Sequence, residues 1–543
     1  MKKVSPRNKQ KLEFEKKVLN DIDKLKKNNL INSYIGNKGY TIYKICLNDD
    51  IIKYIKEILT VKPFSSNIGE NISFPIYQEN EKKLYLPKFY GISLFDYPKS
   101  FNISDGKNIS IKFNGVLRKE PVNQEEIINK YLTAINFYKI NNKELNEKDI
   151  IKYKSSAGAL IDLKCGGGKT ILALYLISII KKKTIIFVHK TFLKNQWIER
   201  IREFLPDAKI GSIQGQIIDI EDKDIVIAMI QSITMKSYPN TLFDSFGFSI
   251  YDECHHLSSE VFNNCFRTVS TLYNLGLSAT MNRKDGLTFV FKMNLGEICY
   301  KSKENLDEDN VIIKAIEYKI DDDDYNEVER DFKGNVKYST MVSKISNYEN
   351  RSNFIIDVIN NELYINNNQQ ILVLAHTRAF LNFLYKKFNL LDEHTIGYYV
   401  GGMKEKDLKE SEKKKIILAT YQMAAEALDI KTLTSLFLAT PKSDIVQAVG
   451  RILRQKHSQP LILDIIDSHD PFLNQFNKRK SYYNSKNYKI YKTSYNDYIN
   501  YIKDCKKNIN IEPDVSKLWN ELKNNKNKNR NKETSNKECI CLI

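Results

Sequence analysis

The chain has 543 residues, 42% of them hydrophobic, with 26 Phe and 32 Tyr; this is enough for several packed cores and excludes a single small module or a largely disordered chain. Lys and Arg number 84 against 66 Asp and Glu, a net charge of +18, which points to a polyanionic partner without separating nucleic acid from an anionic membrane. The longest apolar stretch, Ile171 to Ile180, is interrupted by Tyr175 and Ser178 and falls well short of the about 20 residues a spanning helix needs, so no membrane span is expected.

The start, Met1-Lys2-Lys3-Val4-Ser5-Pro6-Arg7, leads into mixed charge rather than an apolar segment. It predicts no secretory leader and an intracellular protein. The eight cysteines are scattered without a Cys-x-x-Cys pair, which predicts reduced thiols rather than a zinc site or disulfide framework. Cys539 and Cys541 make no prenylation signal, because Ile540 stands fourth from the end. Leu12, Phe14, Val18, Leu19, Ile22 and Leu25 recur among lysines as the apolar face of a basic helix. From Asn71 to Leu117, Pro75, Pro87, Gly91, Pro98, Gly106 and Gly115 punctuate short strands. Residues 1–120 are therefore read as an N-terminal accessory α+β region.

Short β-rich runs then alternate with helical stretches, as a parallel sheet with crossover helices demands. In residues 121–300 the expected strands are Ala159 to Leu163, Thr184 to His189, Asp224 to Ile230, Phe248 to Tyr251 and Leu275 to Ser278. Leu193, Trp197 and Ile201 mark one face of an intervening helix. A polar stretch with the acidic run Asp321 to Asp324 suggests a linker over 301–350. Residues 351–510 repeat the pattern, with strands expected at Ile371 to Ala375, Thr395 to Val400, Lys415 to Thr420, Ser435 to Ala439 and Pro460 to Asp464. Residues 511–543 form an Asn/Lys-rich basic tail, expected to be disordered from Lys523 to Lys537.

Cys165-Gly166-Gly167-Gly168-Lys169-Thr170 lies between an apolar strand and an apolar helix, the context of a phosphate-binding loop. Its glycines let N–H groups turn toward phosphates, Lys169 neutralises them and Thr170 can ligate Mg²⁺. A strict phosphate-loop pattern would place Gly where Leu163 stands. Downstream, Asp252-Glu253-Cys254-His255 closes a buried strand, where one carboxylate would hold the metal and the next would orient and deprotonate the attacking water.

These motifs resemble superfamily 2 helicases of the DExH type. Ser278-Ala279-Thr280 and Gln447-x-x-Gly450-Arg451-x-x-Arg454 extend the match. Leu163-Lys164-Cys165-Gly166-x-Gly168-Lys169-Thr170, Asn195-Gln196-Trp197 and Leu277 through Arg283 to Asp285-Gly286 are similar to the excision-repair branch and to the transcript-release helicases of large double-stranded DNA viruses, poxvirus and giant-virus type. That branch tolerates a residue other than Gly at 163. The resemblance spans about residues 113–485 and implies two tandem RecA-like parallel-sheet domains. It implies that Gln124, after Phe113-x-Gly115 and Leu117-Arg118, reads the adenine edge. It also implies that His255, Ser278, Ala279, Thr280, Arg283 and Asp285 couple ATP state to lobe movement. Thr420-Tyr421-Gln422-Met423-Ala424-Ala425-Glu426-Ala427-Leu428-Asp429 resembles the motif touching nucleic-acid backbone and nucleotide, with Ala427 where the family usually has Gly. Lys190, Gln231, Thr420, Glu426 and Asp429 are the expected nucleic-acid contacts. Gln447, Arg451 and Arg454 are expected at the γ-phosphate, where an arginine contributes about 10³ to 10⁵ in rate.

The expectation is an ATP- and Mg²⁺-dependent helicase or translocase, on DNA with 3′ to 5′ polarity. Its expected setting is viral transcription termination or transcript release, with RNA polymerase or other transcription factors as partners and no membrane. If viral, it belongs to the virion and the cytoplasmic virus factory. An RNA helicase and a nucleic-acid-binding scaffold without turnover remain the alternatives.

Overall fold

The computed structural model describes all residues except 1–5, 65–72, 121, 143, 165, 240, 284, 303–310, 390–394, 427, 429, 454–456, 458, 508–517 and 523–543. The expected disordered tail therefore lies outside the described residues. The chain forms two compact units, Met1–Lys303 and Glu304–Lys537. Among the described residues, no helix is long and apolar enough to cross a membrane.

The first unit is built on an eight-stranded sheet whose order is Ile217–Asp219, Ile210–Gln214, Ile225–Met229, Thr184–Val188, Phe248–Asp252, Tyr273–Ser278, Gly158–Asp162, Ile298–Lys301. Only Ile217–Asp219 runs antiparallel to its neighbour. Thr184–Val188 and Ile225–Met229 are buried at every position, as strands covered on both faces must be, and this is why they read as unbroken apolar runs. The strands expected in this block all form. The three not anticipated lie at the sheet's margins: Ile210–Gln214 and Ile298–Lys301 are only partly buried, and Ile217–Asp219 is exposed throughout.

The N-terminal residues add helices Pro6–Lys27, Asp49–Ile58 and Lys88–Phe95 and a five-stranded sheet that includes Ser33–Gly36, Gly39–Tyr43 and Lys83–Leu86. Helix Lys88–Phe95 falls where short strands were expected. Pro87, at φ −52°, is its N-cap, and a Cβ on Gly91 would come within 2.2 Å of the Tyr40 ring. Glycine is what lets this helix pack against the strand, which alternation in the sequence does not reveal. Val18, Ile22, Ile35, Ile42 and Leu84 share a core with Val290 and Met293 of helix Thr288–Leu295. The N-terminal region is thus packed into the first unit.

The second unit repeats the architecture, in the order Ile396–Tyr399, Ile416–Thr420, Ile371–Ala375, Ser435–Leu438, Leu461–Asp467, Ile312–Tyr318, Lys489–Ser494, Asn520–Glu521. All pairs are parallel except the last. Ile312–Tyr318 lies in the stretch expected as a linker, yet it pairs along its whole length with Leu461–Asp467 inside the sheet. The acidic run that suggested a linker begins just after this strand. The fold class is the expected one: two tandem RecA-like α/β parallel-sheet units with an N-terminal α+β addition.

Candidate active site

Strand Gly158–Asp162 delivers the chain to Leu163, whose side chain is fully buried and whose N–H donates to the Ser278 carbonyl at 3.0 Å. A Cβ on Gly167 would meet Leu163 Cγ at 2.6 Å, so the loop folds down onto Leu163. The residue that breaks the strict glycine pattern is the floor of the loop. Gly168, at φ 85°, caps helix Lys169–Ile180, a turn that glycine makes without steric cost. Lys169 and Thr170 thereby open a helix whose unpaired N–H groups and dipole favour an anion. Gln124, 2% exposed, accepts from the Arg118 N–H at 2.8 Å and donates to the Gly167 carbonyl at 3.4 Å. Its amide thus ties the loop, through Gly167, to the segment at Arg118. The Lys164 carbonyl accepts from the Gly167 N–H at 3.1 Å, and Cys165 lies outside the described residues.

Asp252 ends strand Phe248–Asp252, and Glu253 follows in the left-handed region at φ 47°, ψ 53°. That conformation costs a non-glycine residue about 1–3 kcal/mol. The Glu253 carboxylate accepts from Lys169 Nζ at 2.9 Å through Oε1 and from the Ser278 hydroxyl at 3.1 Å through Oε2. Burial alone would raise its pKa, but the Lys169 ammonium and His255 overcome that and hold it well below the usual carboxylate range. Asp252 is shifted upward instead, by burial and then by the charge of Glu253. Two adjacent acids are pushed apart because the Lys169 ammonium pairs with Glu253 and not with Asp252, so in the nucleotide-free arrangement Glu253 is held as the carboxylate.

Ser278, the last residue of strand Tyr273–Ser278, is fully buried. Its hydroxyl is 2.8 Å from His255 Nδ1 and accepts from the Thr280 N–H at 3.0 Å. Ala279 stands between them, half-buried. Arg283 donates to the His255 carbonyl and pairs with Asp285. The acids, the triplet and the Arg283–Asp285 pair thus form one connected network in the first unit.

Three participants escaped the sequence reading. Trp197, expected on a helix face and in the Asn195-Gln196-Trp197 segment but given no role, donates its indole N–H to Asp252 Oδ2 at 2.9 Å. His189 and His256 extend a stack from His255, with ring centroids 4.1 Å apart for His189–His256 and 4.2 Å for His256–His255. Both nitrogens of His189 are buried without a partner, and burial depresses His189 to about 4 and His256 to about 3. Only the doubled His255-His256 hinted at this stack. Two expected nucleic-acid contacts adjoin it: Gln231 donates to the His189 carbonyl at 2.8 Å, and Lys190 is the N-cap of helix Thr191–Phe204.

In the second unit, Thr420 ends strand Ile416–Thr420 and its hydroxyl accepts from the Met423 N–H at 3.4 Å. Gln447, Gly450 and Arg451 share helix Val446–Ile452. Arg451 is 6% exposed and donates to the carbonyls of Ala424 at 2.7 Å and Leu428 at 2.9 Å, bolting the preceding motif to this helix. Arg454, Asp429 and the side chain of Glu426 lie outside what is described.

Residues 119–283 match the family model described as "Type III restriction enzyme, res subunit". A protein of Acanthamoeba polyphaga mimivirus, provisionally named an ATP-dependent RNA helicase, is 32% identical over 487 residues, 86% of this chain and 87% of its own length. A protein of Invertebrate iridescent virus 6, provisionally named a helicase, is 25% identical over 73% of this chain and 89% of its own. One from an African swine fever virus isolate, provisionally named an ATP-dependent RNA helicase, is 25% identical over 62% and 70%. Similarity of that degree, over nearly the whole mimivirus protein, agrees with the motifs: the chain belongs to the superfamily 2 helicases of the DExH type, which are ATP-hydrolysing enzymes.

Proposed function

We propose that this helicase is an ATP-driven translocase moving 3′ to 5′ on DNA, and that it serves viral transcription at termination or transcript release, with RNA polymerase or its factors as partners. The observation that carries the motor reading is the Lys169–Glu253–Ser278 network, in which the phosphate-loop lysine is held by the acid meant to activate water. Arrival of a triphosphate gives Lys169 a stronger anionic partner. Glu253, released, accepts a proton from the attacking water while the Ser278 hydroxyl holds its second oxygen. The change at Ser278 and His255 then passes along the strand end into the rest of the unit.

Each Asp252 oxygen accepts one N–H bond, which leaves a lone pair on each for a hard cation. With the Thr170 hydroxyl, this donor set fits Mg²⁺, which when bound supplies charge neutralisation at the phosphates. Because Arg451 is committed to two carbonyls of its own unit, Arg454 is the arginine we assign to the γ-phosphate. Gln124 holds the loop on which the nucleotide rests, consistent with a role beside the base. Nucleic-acid grip rests on Lys190, Gln231, Thr420, Glu426 and Asp429 and on backbone phosphate contacts, so affinity falls with salt and depends little on sequence.

DNA is favoured by the likeness of the phosphate loop, the Asn195-Gln196-Trp197 segment and the Leu277–Gly286 segment to the excision-repair branch. The RNA helicase names of the mimivirus and African swine fever virus relatives favour the second reading. The relatives are viral proteins, which supports a viral setting, and a place in the virion and the cytoplasmic virus factory is part of this proposal. ATPase stimulation and strand displacement with single- and double-stranded DNA and RNA decide between them. Stimulation by RNA with none by DNA overturns the DNA assignment. A Lys169→Ala variant that retains full ATPase removes the phosphate-loop assignment.

A further inference from the structure

Far along the chain from the phosphate loop, the N-terminal region and the sheet of the first unit line a partly open cavity of about 30 Å³. Lys38 and Lys88 line it from the N-terminal side, Lys38 being the exposed one of the two, and Arg267, Ser270, Thr271 and Asn274 from the other. No Asp or Glu is among its lining residues. Lys88 is 7% exposed, and its ammonium meets only the face of the Phe89 ring, 4.9 Å from the centroid. Arg267 uses one guanidinium nitrogen to donate to Asn264 Oδ1 at 3.0 Å, while its other terminal nitrogen is buried with no partner.

The polar wall is turned inward on itself. The Thr271 hydroxyl lies 2.8 Å from both the Ser249 hydroxyl and the Tyr273 carbonyl, either of which can take its one proton, and Asn274 accepts from Ser249 and donates to the Thr271 carbonyl. The Ser270 hydroxyl is given to the Asn37 carbonyl at 2.9 Å, tying the two sides together at the cavity. Among the described residues no side-chain acceptor on the wall answers Lys88 or the second terminal nitrogen of Arg267. Burial pushes Lys88 down to about 7 and Arg267 to about 10, with no described acid to offset it. Two desolvated basic groups without a counter-charge among the described residues are an unfavourable arrangement for a folded protein to keep.

We propose that this cavity binds one compact inorganic anion, chloride by size, that bridges Lys88 and Arg267 and so fastens the N-terminal region to the ATPase sheet. Its volume holds one or two water-sized species, which excludes a nucleotide or a stretch of nucleic-acid backbone. The anion satisfies both cations at once and places the stability of the N-terminal attachment under control of anion concentration.

The test compares thermal unfolding of the full chain in sodium chloride and in sodium gluconate at equal ionic strength, since gluconate is too large to enter. The quantity read is the chloride-specific shift in the wild type minus that in Lys88→Met, which cancels general salt effects. Chloride at tenfold its dissociation constant raises the wild-type midpoint by about 2–4 °C. The Lys88→Met chain, whatever its own midpoint, shows no chloride-specific shift, and exposed Lys16→Met keeps the full one. An equal shift in wild type and Lys88→Met overturns the proposal. If Lys88→Met fails to fold, wild-type crystals soaked in bromide decide: an anomalous peak beside Lys88 Nζ and Arg267 sustains the site, and none there refutes it.

Discussion

The two units carry their buried charges in opposite ways. In the second, Asp464 accepts from Arg479 twice at 2.8 Å and from the Tyr483 hydroxyl at 2.9 Å, while Asp467 is clasped by Arg351 and the Tyr325 hydroxyl. These side chains are 0–1% exposed. In the first, Lys169 and Glu253 are 13% and 21% exposed, Glu253 stands on a strained backbone, and Asp252 keeps lone pairs in reserve. One cluster is sealed, so its charges can only hold the fold. The other lies at the ends of parallel strands, where α/β sheets place their ligands, and its partners can be exchanged.

The contrast can be broken in order of expected size. Arg454→Ala should lower stimulated kcat by about 10³ or more with a smaller change in ATP affinity, measured by single-turnover hydrolysis and nucleotide binding. Arg451→Ala, which frees two carbonyls, should lose stability first. Equal losses of kcat and affinity in Arg454→Ala would deny it a transition-state role. Glu253→Gln should cost about 10² to 10⁴ in kcat with only a modest fall in the unfolding midpoint, from loss of the Lys169 pair. A large loss of stability would make Glu253 structural like its counterparts in the second unit.

Arg351→Ala leaves Asp467 buried and unpaired and should cost about 3–5 kcal/mol in urea unfolding, most of it recovered in the Arg351→Met, Asp467→Leu double variant. No recovery would mean that the sealed pair does more than satisfy its own charges. Trp197→Phe removes one hydrogen bond to a charged group, worth about 1.5–3 kcal/mol. It should weaken the Mg²⁺ dependence of ATPase about tenfold with little change in fold.

The smallest effect is on pH dependence. His189 and His256 titrate near 4 and 3 in the fold, below the unfolded value of about 6.5. The unfolded chain therefore binds more protons across this window, and stability should fall as pH drops from about 6.5 toward 4. His256→Phe should flatten that slope in thermal melts at pH 4.5 to 7; an unchanged slope would clear the stack of any part in it.

Much of this was legible beforehand because parallel strands buried on both faces must be continuous apolar runs, and a phosphate loop needs its glycines and lysine contiguous. Ile312–Tyr318 was missed because Lys314 and Glu317 interrupt its apolar run, next to an acidic stretch, and resemble a polar connector. Lys314 is in fact paired with the nearly buried Glu362 at 2.7 Å, and Glu317 with Lys492 at 2.6 Å. Trp197 was legible as core but not as a ligand of Asp252, because its partner is 55 residues away.

The amino-acid order alone determined the tandem α/β architecture, the phosphate loop and the acidic box, since these rest on local spacing and periodicity, and it carried the family through the likeness of its motifs to known helicases. Tertiary structure decided which groups meet: that Leu163 floors the loop, that Glu253 is held by Lys169 and Ser278, that three histidines stack, and that Lys88 faces a cavity without an acid. Periodicity is a property of neighbours in sequence, whereas charge pairing, desolvation and stacking depend on distances that exist only after distant strands have been brought side by side.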